Sequence, residues 1–599
     1  MIRVSDYIAE HLEKIGTEAV FLLSGGGMMH LLDAVSRRKT LKYYCNHHEQ
    51  CSGMAADGYA RVSGQVGVCY ATSGPGGTNT LTAVVGAYQD SSPVLFISGQ
   101  SKLSQTIEGS RLSGLRQFGT FEVDIIPGMK PYTKYAEMVK SASDIRYHLE
   151  KALFLAKDGR PGPVFLDIPL DIQGAMIDPQ TLKGFDPASE TKTSVAAKPC
   201  QLKELFKKLS SAKRPVILAG YGLRVAGATD LLLKFAEKLQ IPVLSTAFGK
   251  DVIHYEHPLF VGHPGMKGER AGNFAVQSAD FVLSIGCSLH VTTTGYELDQ
   301  FAPKAIKVLV DPDEWVLKRE GVGVEYKIQM DCASFLSGFV SLANSSTFKT
   351  AQVWIDKCQF WKKEFSVYKE LPNVSKTDIN YYNFMSELDQ LAGENNIIVT
   401  DAGSAFYVVG QGFRVKKGQR IINSGSLGAM GFALPAATGA AIAAPKSQVI
   451  CVTGDGSLQT NLHELAVFYK NKLNIKLFVI NNDGYVCIRN TQNNFFGGHL
   501  AGTSEESGVY IPDLKKTADT FEIPFFKVKE VSDLKNTIEK VLKTDGPVLC
   551  EIITPHFQEI VPSVSSVRLA NGSMKSKPLH DMFPFMEEKA LEQALHIND

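Results

Sequence analysis

The chain has 599 residues, too many for one hydrophobic core, so about three domains are expected. Hydrophobic residues make up 44% and charged residues 21%, a globular balance, and 62 Lys and Arg face 62 Asp and Glu. A bulk field near zero argues against a nucleic-acid or anionic-membrane partner, both of which favour a basic excess.

The opening stretch MIRVSDYIAEHLEKIG has the apolar spacing of an amphipathic helix and no basic leader before an apolar run, so no signal peptide is expected. AVFLLS, VGVCYAT, PVLFISG and GPVFLDIP read as strands alternating with helices, a first unit over 1–172. A polar stretch of Pro, Ser, Thr and Lys then runs to about 198. RPVILAGYG, IPVLST, ADFVLSIG and IKVLVD form a second, Rossmann-like unit over 195–342, closed by a polar segment around 343–378. NIIVTDAG, QVICVTGDG, IKLFVINN and GPVLCEI form a third over 375–560, in the style of the first. The prediction is an α/β protein of three domains, each a mainly parallel sheet flanked by helices. The tail, 561–599, is irregular, and its Pro and aromatic residues point to an ordered extension laid over another surface. Uninterrupted apolar runs are strand-sized, so no membrane span is expected. Ten single cysteines without a CxxC pair read as reduced thiols of a cytoplasmic protein.

The richest chemistry lies in QVICVTGDGSLQTNLHEL followed by IKLFVINNDG. A strand ends at Gly454-Asp455-Gly456-Ser457 and a helix begins directly after it. Glycine permits close backbone approach to a ligand, and helix-start amides suit an anion. Asp455 is a hard oxygen donor of the kind Mg²⁺ requires. One helix and one strand later comes Asn481-Asn482-Asp483-Gly484, and a strand–helix–strand unit returns the chain to the same sheet edge. Asp455, Asn482 and a carbonyl at Gly484 are therefore the candidate metal ligands. A lone GDG is usually a tight turn; the pairing with NN at this separation is what carries the signal.

GDG followed by NN resembles the thiamine diphosphate motif, and the order of blocks resembles the acetohydroxyacid (acetolactate) synthase branch of that superfamily. The likeness extends through LSGGGMMHLLDA, NHHEQCSGMAADGYAR, SGPGGTN, AYQDSSPVLFISGQ, GRPGPVFLDIP, DAGSA and SGSLGAMGFALPAA, covering the chain to about 560. It implies thiamine diphosphate and Mg²⁺ as cofactors and names the three units pyrimidine-binding, central and diphosphate-binding. It implies that Glu49 is the acid beside the aminopyrimidine ring, exchanging a proton with a ring nitrogen so that the cofactor is activated. Gly403, Ser404 and Ala405 then resemble the diphosphate loop, joined by Gly454, Gly456 and Ser457 at the next helix start. Gly428 and Met430 resemble the pyrimidine contact and the bulky residue that bends the cofactor. Gly26, Thr72 and Asn79 are placed in the same cavity, with Gln100 beside them. SGPGGTN lacks the GK[ST] ending of a nucleotide phosphate loop and reads instead as a turn lining the site. His47 and His48 read as polar residues of a strand–helix turn. The likeness also implies a homodimer or homotetramer with active sites between subunits.

The acceptor side departs from the family. Where an RFDDR-like run would bind FAD and place an Arg, this chain has GCSLHVTTTGYELD with Ser288 at the Arg position. The flavin motif is therefore not retained, although Gly220, Gly222 and Gly262 keep the central unit Gly-rich. The channel Trp is missing from GYVCIRNTQNNFFGG, and FQE is replaced by Thr120-Phe121-Glu122. A guanidinium grips carboxylate through two parallel hydrogen bonds, so its loss questions a 2-oxo acid acceptor. The expected activity is a decarboxylating carboligase that transfers an acyl group from a 2-oxo acid donor such as pyruvate to a carbonyl acceptor. Arg489, Asn490, Gln492 and Asn493 suggest a polyhydroxylated keto-sugar as that acceptor. Simple 2-oxo acid decarboxylation and a non-catalytic regulatory paralogue are the alternatives.

Overall fold

The computed structural model describes residues 1–112, 114–190, 199–370 and 377–597. Three six-stranded sheets follow one another along the chain, and their strands pair in parallel. Across the first sheet the order is Lys42–Cys45, Ala19–Leu22, Gly67–Ala71, Val94–Gln100, Val164–Pro169, Tyr135–Met138. The third runs Arg420–Ile422, Ile397–Thr400, Val449–Gly454, Ile475–Asn481, Val548–Ile553, Phe525–Val528, the same order of crossovers. The stylistic match between the first and third blocks is thus a shared topology. The central sheet differs: Phe260–Gly262, Val243–Ser245, Pro215–Ala219, Phe281–Ile285, Ile306–Asp311, Tyr326–Gln329, the doubly wound arrangement whose order reverses between its two middle strands.

In every sheet the apolar runs mark the four inner strands, and the two outer strands are additional. Inner strands are covered by helices on both faces and so read as continuous hydrophobic runs. The ten cysteines are free thiols. No helix among the described residues is long and apolar enough to cross a membrane.

The first and third units meet through two helices, Glu49–Ser63 and Ala433–Ala443. His48 caps the former with its Nδ1, which accepts the Gln50 amide at 3.1 Å, and Gly64 ends it at φ 71. Ala55, Ala56 and Tyr59 share one core with Ala433, Ala436, Ala437 and Ala440. The backbones cross closely because small residues line the contact. A Cβ at Gly58 would fall within 3.0 Å of the Ala436 carbonyl oxygen, and one at Gly439 within 3.0 Å of that of Ala55. Gly58→Ala or Gly439→Ala, which in an exposed helix would stabilise by about 1 kcal/mol, is expected here to destabilise by at least about 1–3 kcal/mol through overpacking. Thermal unfolding measures this, and an unchanged or raised midpoint refutes the tight crossing.

The tail crosses the central unit. Ser563–Val564 pairs with Met582–Phe583, and the helix Glu588–Leu595 follows. The Val564 amide bonds the Met266 carbonyl, Arg270 Nη2 bonds the Pro584 carbonyl, and the Trp361 indole bonds that of Ala594. Trp354 and Trp361 come from the helix Gln352–Glu364, inside the stretch read as a polar segment, so the central core draws on residues beyond 342.

Candidate active site

Two sets of predicted residues gather at the carboxyl ends of strands, one on each outer unit. On the first, Glu49 opens its helix and is 6% exposed. Asn79 Nδ2 donates to its Oε2 at 3.0 Å. Thr72 Oγ1 accepts the Gly27 amide at 3.0 Å, tying the loop of Gly26 to the 72–79 loop. Glu49, Asn79, Thr72 and Gly26 therefore share one end of the sheet. Gln100 does not join them. It is buried, its Nε2 bonds the Val123 carbonyl and Asp167, and its Oε1 takes the Ser101 amide.

On the third unit, Asp455 is fully buried and knits the two motif loops together. Its Oδ1 accepts the Gly456 amide at 2.8 Å, and its Oδ2 accepts those of Asn482 at 3.2 Å and Gly484 at 2.9 Å. Burial pushes its carboxyl up to about 6, against the opposing pull of those amides. Gly403, Ser404 and Ala405 form the first turn of the helix Gly403–Gly412, beside the end of Ile397–Thr400. Gly428 and Met430 lie on the neighbouring loop, Met430 being 42% exposed.

Three residues hold the two half-sites in roles that their motifs do not announce. Asp401, fully buried, accepts from Ser457 Oγ at 2.7 Å, Thr453 Oγ1 at 3.0 Å and the Gly431 amide at 3.1 Å. Burial raises its carboxyl, and this one anion ties three ligand-side loops together. Asp167 plays a similar part on the first unit, where burial pushes its carboxyl up to about 7 while Ser98 and Gln100 donate to it. The third is Arg489, expected to face an acceptor. Its guanidinium is instead buried among backbone carbonyls: Nη1 bonds those of Asp483 and Thr503, Nη2 that of Asn482 and its Oδ1, and Nε that of His556. Arg489→Lys, which cannot reproduce that fork, is expected to lower Mg²⁺ affinity about 10–100-fold in titrations with thiamine diphosphate present. An unchanged affinity would mean that the loop holds its shape without the guanidinium.

Other readings are corrected by the same bonds. Gly456 and Ser457 both stand in the first turn of the helix Asp455–Thr460, the expected place of helix-start donors, and the Ser457 amide is untouched by the bond its side chain makes. The Gly456 amide instead goes to Asp455 and the Ser457 hydroxyl to Asp401. The Tyr485 ring fills the space that a Cβ at position 456 would need, which explains the glycine there. Asn490 bonds the Gln558 carbonyl and Gln492 both backbone groups of Ala501, which leaves Asn493 as the exposed polar residue of that run. At Ser288 a guanidinium does arrive, from Arg319, but its Nη1 and Nη2 bond the Ser288 and Leu289 carbonyls. Gly220 and Gly222 pack backbone to backbone against Gly286, so they do not argue for a flavin. Phe121, at φ 58 and 71% exposed, stands on strained backbone beside Gly74, while Glu122 is buried and accepts the Phe118 and Gly119 amides at 2.8 Å.

The residues fit the implied cofactor and ion. Gly26 on the first unit and Gly403, Gly428 and Gly454 on the third each have nothing within 4 Å of where a Cβ would stand, so a ligand can approach their backbone closely. Asp455, Asn482 and Gly484 supply only oxygen donors, as Mg²⁺ demands. Within one chain no hydrogen bond or ion pair among the described residues joins Glu49 to the Asp455 and Asn482 loops.

Comparison with known proteins gives concordant results. Residues 2–117, 202–339 and 401–552 match the N-terminal TPP binding domain, the central domain and the C-terminal TPP binding domain of thiamine pyrophosphate enzymes. The acetolactate synthase large subunit of Cyanidium caldarium is 31% identical over 567 residues, covering 93% of this chain and 94% of that protein. Chloroplastic acetolactate synthase 1 of Zea mays is 33% identical over 584 residues, covering 94% and 87%. A probable acetolactate synthase large subunit of Methanocaldococcus jannaschii is 32% identical over 582 residues, covering 95% and 94%.

Proposed function

The chain belongs to the thiamine pyrophosphate enzyme family, in its acetolactate synthase-like branch, and from that premise we propose that it is a Mg²⁺-dependent decarboxylating carboligase. It transfers an acyl group, acetyl when the donor is pyruvate, from a 2-oxo acid to a carbonyl acceptor. The observation that carries this reading is the Asp455 carboxylate joining the GDG and NNDG loops, with Glu49 held by Asn79 on the other half-site.

Thiamine diphosphate, when bound, supplies a nucleophilic carbon that adds to the 2-oxo group and accepts the electron pair left by carbon dioxide. Glu49 holds and returns the proton at the cofactor ring, with Asn79 fixing the carboxyl in place. Asp455, Asn482 and the Gly484 carbonyl would hold Mg²⁺, and the helix start at Gly403–Ala405 would offer its amides to the diphosphate. Met430, exposed on its loop, would supply an apolar prop for the bound cofactor. Arg489 keeps the metal loop in shape and takes no part in acceptor recognition.

Each half-site is rimmed by exposed apolar residues: Leu112, Leu115, Phe118 and Phe121 on the first unit, Ile488, Phe495, Phe496 and Phe557 on the third. Patches of this kind mark contact surfaces. They support a homodimer, or a pair of dimers, in which the first unit of one subunit covers the third unit of another. The free thiols suit a reducing cytoplasm.

The test is product analysis with thiamine diphosphate, Mg²⁺, pyruvate and a panel of 2-oxo acid, ketone and keto-sugar acceptors. A coupled product is expected. Free acetaldehyde alone would make the chain a simple decarboxylase, and no pyruvate consumption at all would leave a regulatory paralogue.

A further inference from the structure

A second group of metal-ligating side chains lies away from the Asp455 loops, where the first and third units of one chain touch. Cys51 stands in the first turn of the helix Glu49–Ser63, and His463 and Glu464 sit on the single turn Leu462–Glu464. Cys51 Sγ lies 3.5 Å from His463 Nε2, which lies 3.9 Å from Glu464 Oε1. Their three donor atoms all fall within 4.8 Å of one another, with Cys51 and Glu464 buried and His463 half-buried.

We propose that Cys51 Sγ, His463 Nε2 and Glu464 Oε1 form a site for a divalent cation of the zinc class, which staples the N-terminal unit to the C-terminal unit at the start of the Glu49 helix.

Two of the three donor separations lie within about half an ångström of what that ion needs. Zinc bonds of about 2.3 Å to sulfur and 2.0–2.2 Å to nitrogen or oxygen, at tetrahedral angles, put sulfur about 3.5 Å from nitrogen and nitrogen about 3.4 Å from oxygen. The first separation is met and the second needs closure of about half an ångström. The donor set also separates this site from the one at Asp455. Thiolate, imidazole and carboxylate together favour zinc-class cations, whereas oxygen alone favours magnesium. Glu464 is already oriented, since its Oε2 accepts from Asn46 Nδ2 at 2.7 Å and its Oε1 from the His47 amide at 3.0 Å. Such outer partners fix a metal-binding side chain in place. The half-exposed His463 ring gives the ion its way in, and water completes the coordination. On binding, the Cys51 S–H bond is replaced by a sulfur–metal bond and the proton leaves to solvent.

The site is independent of the carboligase reading, because none of its three ligands belongs to the cofactor set. The experiment uses the full-length protein, stripped with a chelator and then saturated with Mg²⁺ and thiamine diphosphate so that the oxygen site is filled. Co²⁺ is titrated as the probe and followed through its sulfur-to-cobalt charge-transfer absorption, then displaced with Zn²⁺. One equivalent is expected, with the band lost in Cys51→Ser and affinity reduced at least tenfold in His463→Gln. Co²⁺ binding without a sulfur band, or titrations of both variants that match the parent, overturns the proposal. His463→Gln alters only a half-exposed side chain, so it keeps the test decisive should Cys51→Ser fail to fold.

Discussion

Glu49→Gln is expected to bind thiamine diphosphate and Mg²⁺ as tightly as the parent while losing about 10²–10⁴-fold in turnover, the range a positioned proton-transfer group contributes. The substitution keeps the size of the side chain and an oxygen to accept from Asn79, so the helix start and the 72–79 loop should hold. What it removes is the exchangeable proton. Two measurements separate this from a folding defect. Isothermal titration should show unchanged cofactor affinity, and hydrogen–deuterium exchange at the thiazolium carbon of the bound cofactor should slow by a factor similar to that in turnover. Full activity in the variant would end the assignment of Glu49. Slow turnover with fast exchange would move its role to a later step.

Asp455→Asn is expected to cost at least about 100-fold in Mg²⁺-dependent cofactor retention, more than the loss of an outer partner. Asparagine still offers one oxygen to the amides of Asn482 and Gly484, so the loops need not open; what goes is the negative charge facing the ion. The same carboxyl sets a pH window. Burial raises it to about 6 in the metal-free chain, above its value in an unfolded one. Between roughly pH 4 and 6 the folded chain therefore holds a proton that the unfolded chain has released, and stability at this site falls as pH rises through that window. A cation reverses the penalty, because proton and metal compete for one carboxylate. Relative to Asp455→Asn, the metal-free parent should lose thermal stability from pH 4 to 6.5 and regain it with Mg²⁺. Equal retention in variant and parent would remove the metal from this loop.

The Asp455–Asn482–Gly484 convergence was legible because it rests on local chemistry. Each loop follows an inner strand, and parallel pairing of Val449–Gly454 with Ile475–Asn481 brings their ends side by side. The proposed role of Glu49 rests on its resemblance to a family, since an acid at a helix start has many roles; the fold adds its burial and its bond to Asn79. Arg489 was misread because its partners, at 482, 483, 503 and 556, come from three separate loops. One signal was present: Val486 and Arg489 lie three residues apart, on the buried face of the helix Val486–Phe496. A guanidinium on such a face must find carbonyls or carboxylates. Asp401 carried a similar hint, as the acid ending the buried strand Ile397–Thr400.

The sequence by itself determined three parallel α/β units and the place of the GDG and NNDG loops, because a strand buried on both faces writes a continuous apolar run and a tight turn at its end is written in Gly, Asp and Asn. It left out the outer strands, such as the largely exposed Lys42–Cys45, since an edge covered on fewer sides needs no such run. Only the tertiary structure decided that the first and third sheets share one order, that Gly58 and Gly439 serve a helix crossing, and which polar groups remain free for a ligand. A side chain's identity states how many hydrogen bonds it can make. Whether any remain depends on the atoms that folding brings beside it from elsewhere in the chain.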